Sequence, residues 1–172
     1  MTQPPTEEVS DAMAFYATLG LDVSYFGALW HTFNVGHILA TDLDRVCRRH
    51  ALSVADFNLL GALRIERAQP LRPTDLAATL QVSHAALSTR IARLAQVGLI
   101  TRSPALKDRR ASTLELTPVG ARLVDTIHAA IETESQFVRQ FHRLAPEDRA
   151  QLARIMGRLH TNLDREFLRS FR

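Results

Sequence analysis

A chain of 172 residues, 46% of them hydrophobic, is long enough to build one domain around a substantial core. No apolar run approaches the roughly 18 residues of a membrane span, the opening residues show no signal-peptide pattern, and a single cysteine, Cys47, excludes an internal disulfide framework. A cytoplasmic protein is the expectation. The formal net charge is only +3, but Arg90, Arg93, Arg102, Lys107, Arg109 and Arg110 stand between Ser83 and Arg110 against one acid, Asp108. A local basic patch on a near-neutral chain suits a polyanion partner.

In chain order, residues 1–8 with Pro4-Pro5 read as a frayed tail, and a short helix from Asp11 to Leu19 stops at Gly20. From Val23 to His50, Phe26, Leu29/Trp30, Phe33, His37, Leu39, Leu43 and Val46 recur at helical spacing. Ser53 caps the next helix, with Asp56 three residues on as its capping-box partner; this helix is expected to run to about Ala68. Leu71 suits a single residue of sheet, and Pro73 a first helical position. Ser83 caps another helix whose core side is Leu87, Ile91 and Leu94, while His84, Ala85, Ser88, Thr89 and Arg93 face outward. Gly98 stops it. Two strands around Lys107-Asp108-Arg109-Arg110 form a hairpin, and Thr117-Pro118 opens one long helix running through Leu123, Ile127, Ile131, Val138 and Phe141. Pro146 begins the last helix, with Leu152, Ile155/Met156, Leu159, Leu163 and Phe167 on one side.

Two short helices joined by a turn, followed by an Arg-tipped hairpin, make a winged helix-turn-helix. The second helix is slim enough to enter the major groove of DNA while the hairpin meets the backbone or minor groove. The expected fold is mainly α with a small β-wing, within a single domain spanning 1–172. Residues 1–50 would supply the tail and a dimerisation or ligand helix, 52–120 the winged helix-turn-helix, and 121–172 the C-terminal dimerisation helices. The long apolar stripes outside the central unit favour a homodimer; the alternative is an intramolecular bundle.

The segment from about Leu52 to Val124 resembles the MarR family of small dimeric transcription factors. The likeness lies in Leu52-Ser53-Val54-Ala55-Asp56-Phe57-Asn58-Leu59-Leu60, in Thr74-Asp75-Leu76-Ala77, in Arg90-Ile91-Ala92-Arg93-Leu94 with Gly98-Leu99-Ile100 and Arg102, and in Asp108-Arg109-Arg110 followed by Leu116-Thr117-Pro118-Val119-Gly120. The order and spacing of these pieces carry the signal. The resemblance implies a dimer with one winged unit per subunit on duplex DNA. Asp108 would brace the wing, Arg109 would reach for the minor groove, and Arg110 would lie near the backbone. Thr74, Ser83, His84, Ala85, Ser88, Thr89, Arg93 and Lys107 complete the expected DNA surface.

An effector is a second expectation. Trp30, His31, Phe33 and His37, with Phe57 and Asn58 across from them, suggest a pocket for an aromatic or phenolic acid; for any single one of these side chains, ordinary core packing is the stronger reading. Arg90 and Arg102 occupy positions that help bind a purine-like anion in the family's urate-responsive branch. Here Asn58 replaces that branch's Asp and Trp30 does not align with its Trp, so urate is a minor reading. Arg45, Arg48 and Arg49 around Cys47 would favour a thiolate, but peroxide sensors of the family place their cysteine nearer the start of the first helix and no second cysteine exists here, so an inert thiol is expected. His31 and His37 lie six apart, which shares no helix face well, and no metal or cofactor is expected. No nucleophile with a plausible base occurs, and an enzyme is not expected.

The chain thus reads as a sequence-specific regulator on pseudo-palindromic double-stranded DNA, a ligand-responsive repressor without a membrane partner. A winged module that docks a protein is the alternative, against which the basic wing argues.

Overall fold

The computed structural model describes residues 5–65, 73, 76, 77, 80, 82–104 and 112–170. Helix α1 spans Pro5–Thr18, so it starts well before the expected Asp11 and takes in part of the supposed tail. Pro5 suits a first helical position, and Glu7 and Glu8 complement the unpaired amides of the first turn. Val9 and Met13 face Gly27 at the start of α2, Phe26–Arg48. Helix α2 ends in a Schellman arrangement: Leu52 N–H donates to Cys47 O at 3.2 Å, Ala51 N–H to Arg48 O at 3.1 Å, and Ala51 takes the left-handed φ of 58°.

Helix α3, Val54–Ile65, opens on the expected capping box. Ser53 N–H donates to Asp56 Oδ2 at 2.8 Å, and Asp56 N–H donates to Ser53 Oγ at 3.2 Å. The expected extension to Ala68 and the strand residue Leu71 lie outside the described residues. Pro73, Leu76 and Ala77 are helical, with Leu76 and Ala77 buried. Helix α4, His84–Gln96, starts at Ser83, whose hydroxyl oxygen accepts Ala86 N–H at 3.2 Å, and Gly98, with φ of 72°, turns the chain into β1. Strands β1, Ile100–Pro104, and β2, Ser112–Leu116, pair antiparallel with Ile100 opposite Leu116 and Arg102 opposite Leu114.

The core lies under the central unit. Leu59, Leu60, Leu76, Leu87, Leu94, Ile100, Leu114, Val124 and Ile127 are all essentially inaccessible to solvent. Burial of Leu87, Ile91 and Leu94 fastens the inner stripe of α4, at roughly 1.5–3 kcal/mol per side chain.

Beyond β2 the expected single helix is two. Helix α5, Pro118–Glu134, stops at Ser135, whose ψ of 129° is extended, and α6, Gln136–His142, restarts from it. The cause is a local competition. Ser135 Oγ accepts Val138 N–H at 3.2 Å and donates to buried Asp42 at 2.7 Å, which also accepts Phe137 N–H at 3.1 Å. These bonds replace those a continuous helix would make. Helix α7, Pro146–Ser170, leaves Leu152, Ile155, Met156, Leu159 and Leu163 in solvent, so these apolar side chains find no full cover among the described residues. No helix among the described residues is long and apolar enough to cross a membrane.

Candidate nucleic-acid interface

Helix α4 presents an open outer surface. His84, Ala85, Ala86, Ser88, Thr89, Ala92 and Arg93 are exposed, while Leu87, Ile91 and Leu94 point to the core. The side chains outside are short except at His84 and Arg93, which lets the backbone come close to whatever it meets. The exposed Thr89 hydroxyl donates back to Ala85 O at 3.1 Å, which leaves its oxygen free to accept. Thr74 and the wing tip, Lys107, Asp108, Arg109 and Arg110, lie outside the described residues.

One acid fixes the flank of α4. Asp56 is 3% exposed, and its Oδ2 accepts both the Ser53 amide and the Ser53 hydroxyl, the latter at 2.6 Å. Its Oδ1 meets Arg90 Nε at 3.2 Å and an Arg93 guanidinium nitrogen. Burial pushes the Asp56 carboxyl up, but the Ser53 donors and the Arg93 guanidinium outweigh it and hold the group below the usual carboxylate range. Arg90, expected as a ligand residue, and Arg93, expected on DNA, thus share this one partner. The sequence signal for it was Asp56 in the capping box; its second role depends on α4 returning beside α3.

The wing root is built with equal economy. Thr117 Oγ1 lies 2.8 Å from Gly98 O and 3.1 Å from Leu99 O as donor, and accepts Gly120 N–H at 3.0 Å. A Cβ on Gly120 would stand 2.2 Å from Leu99 O, so only glycine lets α5 begin this close to β1. The Thr-Pro-x-Gly run is therefore a joint between wing and helix. Arg64 braces α5 from α3 through a two-point pair with Asp125, at 3.0 and 2.9 Å.

The expected effector residues fall into separate neighbourhoods within one chain. Trp30 stacks on Phe26 at 6.2 Å, whereas Phe57 is buried edge-on to His128 at 4.9 Å. Roughly 21 Å of helix, at 1.5 Å per residue, separates Trp30 from Asp44, whose carboxylate accepts the Val54 N–H that starts α3. Phe33 is 73% exposed, His37 and Asn58 are exposed, His31 is half-buried, and Arg102 lies exposed on β1. Among the described residues, no cluster of three or more His, Cys, Asp or Glu could hold a metal ion.

The three arginines near Cys47 are engaged. Arg45 pairs with Asp42 at 2.9 Å, Arg48 with Asp44 at 2.5 Å, and Arg49 with Glu134 at 2.5 Å. Cys47 itself is fully buried, and burial, with Asp44 and Asp56 adding to it, pushes its thiol up to about 11.

Comparison with known proteins agrees with this geometry. Residues 52–111 match the model of the MarR family. The chain is 27% identical over 146 residues to the HTH-type transcriptional regulator PecS of Dickeya dadantii (strain 3937), covering 83% of this chain and 86% of that one. The fold matches wild-type MarR from E. coli in its apo form with a TM-score of 0.63 and 24% identity, over 77% of this chain and 95% of that one. It matches the transcriptional repressor CouR bound to a 23-mer DNA duplex with a TM-score of 0.69 and 20% identity, over 81% and 98%. The central segment of the chain is thus similar to the MarR family, the chain as a whole to the transcriptional regulator PecS, and its fold to that of MarR and CouR.

Proposed function

We propose that two copies of this chain form a homodimer that reads a pseudo-palindromic site on double-stranded DNA and represses transcription until an effector binds. The observation that carries the reading is the uncovered outer face of α4, a rod of small and hydroxyl side chains ending at Arg93 and anchored from beneath by Leu87, Ile91 and Leu94. Such a rod fits the major groove, with His84, Ser88, Thr89 and Arg93 in reach of base edges and phosphates. Lys107, Arg109 and Arg110 would meet the backbone or minor groove beside it. The DNA complex of CouR, which shares the fold, supports the same arrangement here.

Two-fold pairing is supported by the exposed stripe of α7 and by apolar residues of α1, the turn after it and α2, such as Phe15, Leu19 and Leu29, each about 60% exposed. Half-sites would lie about one helical turn, ~10 bp, apart. An aromatic or phenolic acid is the effector class that Trp30, His31, Phe33 and His37 suit, in a pocket that a partner subunit completes. It acts by binding the DNA-competent and incompetent spacings with different affinity, a coupling of about 1–3 kcal/mol. A cytoplasmic location goes with this role.

Selection of bound fragments from random duplex DNA tests the reading and gives the half-site spacing. Affinity for the selected site should fall with salt at a log–log slope near −0.9 per phosphate contact, and Arg109→Ala should remove about one unit per subunit. Absent or salt-insensitive binding would favour a module that docks another protein.

A further inference from the structure

Asp56 has more bonds than a capping residue needs. We propose that it is a specificity-determining residue of the DNA interface: by holding Arg93 against the flank of α4, it withholds that guanidinium from phosphates met without the correct base sequence. This rests on the DNA-binding reading above.

The two ion pairs are unequal. The Asp56 carboxylate is 4% exposed, the Arg90 side chain 21% and the Arg93 side chain 47%. Arg90 is therefore the inner strut, and Arg93 the member with one side already in solvent. Arg93 follows Thr89 by one helical turn on the outer face, and a crevice of about 310 Å³ lined by Arg48, Ser53, Asp56 and Arg93 gives it room to leave the carboxylate. Arg48, which shares that crevice, is held by Asp44.

The energetic logic is a competition for one cation. A phosphate can take Arg93 only by outbidding a buried, already charged acid. In a correctly seated complex, base contacts from α4 hold the phosphate in place while the exchange occurs. On an unrelated duplex those contacts are missing, and Arg93 stays on Asp56. Neutralising the acid removes the competitor and leaves the two guanidinium groups without this carboxylate. Binding to any duplex then gains one more phosphate contact per subunit.

The test uses the wild-type full chain with Asp56→Asn, Asp56→Glu and the double variant Asp56→Asn/Arg93→Gln, each checked by thermal melting. Asn keeps an acceptor for the Ser53 amide, and Glu is the usual acid of a capping box. Binding is measured between 50 and 200 mM salt on the selected site and on a scrambled duplex of equal length. For Asp56→Asn the scrambled duplex should bind about 3–10-fold tighter at low salt, with a slope steeper by about 0.9 per subunit. Its preference for the selected site should fall by about the same factor. Asp56→Glu should restore the preference, and the double variant should lose the extra affinity and slope.

If Asp56→Asn weakens both duplexes alike, or changes neither, with an unaltered slope, Asp56 supports the fold only and the proposal fails. Should Asp56→Asn not fold, Arg93→Gln alone decides: it should weaken the selected site at least about fivefold more than the scrambled one, and equal losses would overturn the proposal. A wild-type chain that binds no duplex would instead sink the DNA-binding reading itself.

Discussion

The Ser135 hydroxyl donates to the carboxylate of Asp42 at 2.7 Å, joining α2 to the break between α5 and α6 across 93 positions of sequence. Arg45 and the Phe137 amide complete the shell of that buried acid. Burial alone would raise its pKa, but Arg45, Ser135 and Phe137 prevail and lower it to about 2.

A folded-state pKa below the ordinary 3.8 means the folded state binds the proton less readily than the unfolded chain. The acid therefore stabilises the fold above about pH 4, and that contribution is lost as pH falls toward 2. It amounts to about 2 kcal/mol. Urea midpoints of Asp42→Asn against wild type should differ at pH 7 and converge by pH 2. Parallel curves would show that the charge on Asp42 contributes nothing.

Gly120→Ala should destabilise the chain by about 2–3 kcal/mol, because the new methyl group would run into Leu99 O. Gly61→Ala is the matched control. It sits within α3 with no atom within 4 Å of an added Cβ, and should gain about 0.5–1 kcal/mol from helix propensity. Thermal melts of the two variants should move in opposite directions.

Cys47 should resist thiol reagents at pH 8 in the folded chain and react at once in urea. Its thiol titrates near 11 and is fully buried. Rapid labelling without denaturant would contradict that burial.

Leu159→Asp should split the proposed dimer while leaving each subunit folded, since Leu159 is 43% exposed within its own chain. Sedimentation should report the monomer mass and circular dichroism an unchanged helix content. A dimer of full strength would remove α7 from the interface.

Local signals were the legible ones. Ser53, Ser83 and Thr117-Pro118 announce helix starts through side chains that act within three residues, and Leu87, Ile91 and Leu94 declare their core face by spacing alone. Features that depend on distant partners were hidden. The break at Ser135 needs Asp42 from α2, and apolar periodicity runs straight across it. The Thr-Pro-x-Gly run matched by pattern, but its reason, the approach of Gly120 to Leu99, exists only once β1 lies beside α5. Likewise Arg90 and Arg93 read as exposed cations until Asp56 arrives from α3. Trp30, His31, Phe33 and His37 share the helical rhythm of α2, but within one chain Phe57 sits in another neighbourhood, because a helix as long as α2 carries its two ends far apart.

The seam of Thr117, Gly120 and Leu99 has a mechanical consequence. With no slack for rotation at their base, strands β1 and β2 travel with the helix that follows, like a blade brazed to its shaft. Any signal that re-aims the paired strands β1 and β2 must therefore tilt that entire shaft.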